Sequence, residues 1–243
     1  MPTVTAPPPA PRASAWTAFG VCSLIWGSTF LFISIGNDAV PPVWAATLRL
    51  GLAAPLLSAI ALAMRHPFPR GAALRAATWY GFWQFGVSFP LLYWGQTRFP
   101  SGLTAVLYAT IPLTTAFLAR AFGLERLETA KLAGAAVALA GVALIFSGQL
   151  GADIPVASLL ALVLAATSAA LSGVLFKRGP RQSPLWANAA GAMVGFVMCL
   201  VVSLALGESH RLPVTAAGWG PILYLTLAGS IGAFVLFAWL VSH

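Results

Sequence analysis

The sequence predicts an all-α fold, a polytopic membrane helix bundle of about eight transmembrane helices. Hydrophobic residues make up 59% of the 243 positions and charged residues only 7%, against about 25% charge in a soluble globular domain. The apolar residues fall into runs close to the roughly 20 that a helix needs to cross a hydrocarbon core. Strand-like alternation is absent, and the runs are too long for the strands of a transmembrane barrel.

Residues 1–14 are proline-rich and are expected to be disordered. The first span is placed at about 15–35, with Trp26-Gly27-Ser28-Thr29-Phe30 inside it. Pro41-Pro42 suits a helix start, and the second span follows at about 43–64, ending in Arg65-His66-Pro67. The third, at about 76–96, carries Trp79, Trp83, Gln84, Pro90, Tyr93 and Trp94. The fourth (102–119) and fifth (131–147) flank a charged loop that must sit in water or headgroups, with Arg120, Glu125, Arg126, Glu128 and Lys131 at or near it. Pro112 falls near the middle of the fourth, where it is expected to free a backbone carbonyl. In the fifth, Gly134, Ala138 and Gly141 lie at i, i+4 and i+7, a small-residue face for close helix packing. The sixth, seventh and eighth spans are placed at about 154–176, 184–206 and 217–241.

Charge orients this arrangement. With the N-terminus inside, the inner segments hold Arg12, Arg65, Arg70, Arg75, Arg120, Arg126, Lys131, Lys177, Arg178 and Arg181. The outer loops hold Arg98 and Arg211. Positive residues favour the cytoplasmic side, so both termini are expected there. The net charge of +8 follows from that bias, and nucleic-acid binding has no place in the account. Cys22 and Cys199 lie inside apolar runs and read as packing residues.

One stretch carries a family pattern. Ser101-Gly102-Leu103-Thr104-Ala105, then Pro112, then Leu124-Glu125-Arg126-Leu127, then a Gly/Ala-rich run from Gly134 to Val142 stand in order. This resembles the end of an EamA domain, the repeat unit of the drug/metabolite transporter superfamily. The usual glycine before the glutamate is Leu124 here, with Gly123 one position earlier. Trp26-Gly27 resembles the family's first-helix motif. The resemblance implies a ten-helix protein of two five-helix repeats, with both termini cytosolic.

A shift of 142 residues lays Pro42-Val43-Trp44-Ala45 on Pro184-Leu185-Trp186-Ala187 and Ser88 on Ser230. Five spans separate each helix from its counterpart, and an odd number inverts the second copy in the membrane, as in many secondary transporters. The organisation expected is a first EamA repeat over 15–148 with five helices, and an incomplete second repeat over 154–243 with three. Against the family's ten helices, the last two are expected to be lacking.

Arg49 is the only charge well inside a span. It must snorkel, pair or face a cavity. One reading is a structural arginine reaching the outer headgroups or Asp38. The other is a cavity cation for an anionic group on a substrate. Trp26 lies too deep for an interfacial belt and either packs or lines the cavity. Gly27 is expected to allow close helix approach. Trp83 and Gln84 lie on the third span, and Gln84 at that depth needs a hydrogen-bond partner. Tyr93 and Trp94 lie near the outer end and read as belt residues. Tyr108, four residues before Pro112, lines a path beside the kink or packs. The candidate substrate-binding residues are therefore Trp26, Arg49, Trp83, Gln84 and Tyr108. The candidate structural or gating residues are Gly27, Pro112, Gly134 and Gly141.

Catalysis finds little support. His66, His210 and His243 lie at span ends or in loops, and no Asp or Glu falls inside an expected span. Paired acids, nucleophile–base pairs and metal ligands are thus missing from the spans. No catalytic residue, metal or cofactor is expected. The function expected is a permease or exporter of small metabolites or drugs in the cell (plasma) or inner membrane, working by alternating access. The alternative is a truncated, non-transporting membrane protein or assembly partner. The partners expected are the lipid bilayer and a small-molecule substrate, with a homodimer or a complementing partner chain as a further option.

Overall fold

The computed structural model describes residues 12–125, 128–145, 147–149 and 155–236, and every regular element among them is helical. The proline-rich residues 1–11, Arg126 and Leu127 of the L-E-R-L motif, and the end of the last expected span at 237–241 lie outside the described residues. Helix α1 runs Arg12–Asn37 and α2 Pro42–Ala63. Then come α3 (Ala72–Gly81), a π-helical stretch Phe82–Val87 and α4 (Ser88–Gly95). Next are α5 (Ser101–Tyr108), α6 (Ile111–Ala121) and α7 (Thr129–Ile145). The chain continues through α8 (Val156–Arg178), α9 (Pro184–Ala205) and α10 (Ala216–Tyr224), and α10 runs into a second π-helical stretch, Leu225–Gly232.

Six helices among the described residues are long and apolar enough to cross a membrane. They match the first, second, fourth, sixth, seventh and eighth expected spans. The fifth is α7, within two residues of the expected bounds, and its apolar part, Leu132–Ile145, is shorter than those six. The third is not among the six. It is a continuous rod from α3 to α4, diluted by Trp79, Tyr80, Trp83, Gln84 and Tyr93.

The fourth span is interrupted near its middle, as expected from Pro112. The fourth span breaks at Ala109-Thr110, and Pro112 stands in the first turn of α6. A missing N–H costs nothing there, because first-turn donors have no partner within the helix. The third span is disturbed before Pro90 as well. Pro90 cannot donate to the carbonyl four residues back, and the ladder widens to π form over the turn before it, Phe82–Val87.

The centre of the bundle is an antiparallel pair. Trp44 at the start of α2 donates its indole N–H to the Arg211 carbonyl in the loop after α9, at 3.0 Å. Trp186 at the start of α9 donates to the His66 carbonyl in the loop after α2, at 2.9 Å. Each indole also meets a ring edge-on, His210 at 5.0 Å for Trp44 and Phe68 at 4.9 Å for Trp186. The two tryptophans are 142 residues apart, and so are the two rings. The spacing recurs in the helices themselves, since α2 and α9 are each 22 residues long and start 142 apart. Both end in the same six-to-one and five-to-two backbone bonds, made by Arg65 and His66 after α2 and by Gly207 and Glu208 after α9. Arg65 and Gly207 are the left-handed residues, with φ of 56° and 67°.

The third span packs into this pair more closely than side chains allow. A Cβ on Gly81 would lie 2.3 Å from the Gly191 Cα, so the two backbones touch. Phe85, Leu50, Ile33, Leu162 and Cys199 fill one continuous core beside that crossing. Helix α7 is peripheral and largely exposed. The close packing expected at Gly27, Gly134 and Gly141 is not found: a Cβ on any of them would meet nothing within 4 Å. Gly27 lies on the exposed side of α1, whose other side gives Ile33 to the core, and Gly134 and Gly141 lie on the exposed α7.

Candidate functional site

The most deeply buried charge among the described residues is Arg49, about a third of the way along α2 and only 3% exposed. It makes no ion pair with Asp38. Its Nε donates to Ser230 Oγ at 3.1 Å, and its Nη1 donates to Tyr93 Oη at 3.2 Å. The guanidinium carbon lies 5.0 Å from the centre of the Phe89 ring, a cation–π contact. Three separate elements therefore hold it: α4 through Phe89 and Tyr93, the second π stretch through Ser230, and α2 itself. Thr226 in that π stretch adds a long bond to the Arg49 carbonyl, at 3.5 Å.

These partners are all uncharged. Among the described residues no carboxylate pairs with Arg49. An arginine at this depth costs on the order of 3 kcal/mol on insertion scales, and two hydroxyls and a ring offset only part of that. The Glu208 carboxylate is committed elsewhere. It accepts from the backbone N–H groups of Val43 and Trp44 at 3.1 and 2.7 Å, and from Ser203 Oγ at 2.6 Å. Pro41, which precedes α2, has no side-chain group to cap it, so Glu208 caps the helix from another loop.

Aromatic rings run from Arg49 into the bundle. Tyr93, Phe89, Phe85, Phe234 and Trp26 follow one another with centroid distances of 6.0, 5.2, 6.1 and 6.3 Å. Trp26 ends this line and is 37% exposed. Tyr108 lies on another side of the same region, its ring 4.9 Å from Phe30 and its hydroxyl 3.3 Å from Ser88 Oγ. Trp83 and Gln84 belong to a different contact. Gln84 Oε1 accepts from Ser172 Oγ at 2.6 Å, and the Trp83 carbonyl accepts from Ser168 Oγ at 2.7 Å. They join the first π stretch to α8 and are not brought to Arg49.

The sequence reading did not pick out two residues of this site. Tyr93 is 2% exposed and is a partner of the buried cation, not a belt residue. Its closeness to the span's end suggested the belt, while its four-residue spacing from Phe89 was the signal for a shared face. Ser230 was visible only as the counterpart of Ser88. A groove of about 350 Å³ opens between α2 and α9, lined by Thr47, Leu48, Gly51, Leu52, Pro55, Met193 and Phe196. Arg49 does not line it, and the structure is closed around the guanidinium.

The pattern of the EamA-like transporter family matches residues 15–147. The chain is 31% identical over 223 residues to the uncharacterized inner membrane transporter YedA of Escherichia coli K12, covering 90% of this chain and 72% of that protein. It is 32% identical over 194 residues to a probable amino-acid metabolite efflux pump of Salmonella typhimurium, covering 77% of this chain and 63% of the pump. A probable terminal-alkyne amino-acid exporter of Streptantibioticus cattleyicolor is 34% identical over 125 residues, 49% of this chain and 40% of the exporter. A solved crystal structure superimposes with a TM-score of 0.71 at 21% identity, covering 94% of this chain and 79% of that one. At that identity the likeness is one of fold alone.

Proposed function

This chain belongs to the EamA-like transporter family, and on that footing we propose that it is a permease or exporter of small metabolites or drugs, working by alternating access. The protein is a multi-pass membrane bundle whose relatives are transporters, an efflux pump and an exporter. The observation that carries the reading is the polar centre around Arg49. It lies in the membrane interior, where an ionisable group marks a substrate or ion path, and it joins α2 and α4 to the second π stretch.

Residues 15–148 and 154–243 form two inverted units of one design in this reading, the second with three helices. The coincidence of α2 with α9 at a spacing of 142 supports it. Substrate binds between the units near the midplane, and their rocking exposes it to one side at a time. Both termini face the cytoplasm, as the distribution of Lys and Arg favours. The two relatives named for amino-acid export support amphipathic cargo of that size.

Cells expressing the chain and preloaded with radiolabelled amino acids and amphipathic drugs test this. Faster loss of at least one compound than from vector controls is expected. Loss equal to the controls across the panel, with folded protein present in the membrane, contradicts the proposal and favours a non-transporting chain or assembly partner.

A further inference from the structure

At the end of the bundle where α2 and α8 begin, a pocket of about 380 Å³ lies between three elements. Pro42 of α2 forms one wall, and Pro155, Ala157 and Ser158 at the start of α8 form another. Trp94, Thr97 and Arg98 come from the end of the third span and the 3₁₀ turn Gln96–Arg98 that follows it. The volume is that of a small-molecule cleft.

The lining favours an anion. Arg98 is the one charge among the described lining residues, and it makes no ion pair with any described residue. Asp153, just before this stretch of α8 in sequence, lies outside the described residues. Helix α8 starts after Pro155, which provides no side-chain cap, so its first-turn N–H groups have no partner within the helix. Those groups and the helix dipole attract negative charge. At the adjoining start of α2 the Glu208 carboxylate already fills that role.

Ser158 distinguishes this pocket from a bare helix end. It is 3% exposed, it lines the pocket, and its hydroxyl makes no hydrogen bond among the described residues. A buried hydroxyl without a partner is unfavourable, and a ligand oxygen in the pocket supplies one. Trp94 is 40% exposed, and a tryptophan at the end of a span marks the level of the lipid headgroups. A guanidinium beside free helix N–H groups suits the oxygens of a phosphate.

We propose that this pocket binds a phosphate group, carried by an anionic lipid headgroup or free in solution. Arg98 pairs with its charge, Ser158 donates to one of its oxygens, and the first turn of α8 points its dipole at it. None of these residues belongs to the Arg49 centre, so the proposal stands apart from the transport reading.

The test uses the purified full chain in detergent and follows thermal unfolding against three probes: dioctanoyl phosphatidylglycerol, dioctanoylglycerol, which lacks the phosphate, and inorganic phosphate. The phospholipid is expected to raise the unfolding midpoint at concentrations about tenfold or more below those the phosphate-free lipid requires. Arg98→Gln is expected to remove that preference and Ser158→Ala to weaken it. Ala157→Phe fills the pocket from an exposed position without altering any charge, and is expected to remove the preference too. Arg211→Gln, which takes away the other arginine assigned to this side but not to the pocket, is expected to leave it intact. A response to the phospholipid alone assigns the site to lipid. A response to inorganic phosphate that depends on Arg98 and Ala157 in the same way assigns it to a solute, and either result sustains the proposal. Equal effects of the two lipids with none from inorganic phosphate overturn it. A preference that survives Arg98→Gln or Ala157→Phe also overturns it, as does equal loss in Arg211→Gln, which marks general surface charge.

Discussion

Glu208 and Arg49 show how single residues bind distant parts of this chain. Glu208 lies 165 residues from Val43 in sequence, yet its carboxylate accepts from two of the first-turn N–H groups of α2. Such a cap satisfies orphan donors and complements the helix dipole. Glu208→Ala is expected to cost about 1–2 kcal/mol, and Glu208→Gln less, because an amide oxygen still accepts. Thermal unfolding in detergent checks both. Arg49 was legible in the sequence as the lone charge of a span, and that alone made it a candidate. Its partners were not legible, because they come from α4 and from a π stretch some 180 residues later. Glu208 looked like one more loop charge, since sequence shows a helix start but not the loop that folds over it.

At the scale of elements, the helices were legible where hydropathy and length speak together. The sixth and seventh expected spans fall within about two residues of α8 and α9. The third span hid its π stretch, because the spacing of side chains barely changes over one widened turn. Pro112 announced a break, and the helix does break there, with Pro112 in the first turn of the helix that follows. Glycine needed the same care. Gly81 and Gly191 permit backbone contact, whereas Gly27 and Gly134 face open space. Gly81→Ala is expected to destabilise the bundle by about 1–3 kcal/mol through overpacking. Gly27→Ala is expected to fall within about 0.5 kcal/mol of the parent, as an open surface site does. Unfolding midpoints of the two variants, compared side by side, test the packing of the third span against α9.

For the whole molecule, the 142-residue spacing was visible in P-x-W-A and is matched by helix bounds, by both indole hydrogen bonds and by both edge-on ring contacts. Sequence shows the repeated tryptophan. That each tryptophan closes one end of an antiparallel pair required the fold. Orientation in the membrane is open to direct labelling. Cys22 and Cys199 are buried, so single cysteines placed at Arg98, Arg211, Arg65 or Lys177 stand out. A membrane-impermeant maleimide applied to intact cells is expected to label the first two and spare the last two, and the reverse pattern contradicts the charge assignment.

The central claim is that this bundle carries small molecules across a membrane by exposing one site to each side in turn. Counterflow in proteoliposomes tests it most directly, because it needs no coupling ion. Vesicles holding the purified chain and loaded with unlabelled solute are diluted into a trace of the same labelled solute, with amino acids and amphipathic drugs as the panel. The account predicts a transient accumulation of label above equilibrium for at least one solute, absent from protein-free vesicles. Label that never exceeds its equilibrium level for any solute, with folded protein confirmed in the vesicles, would contradict it.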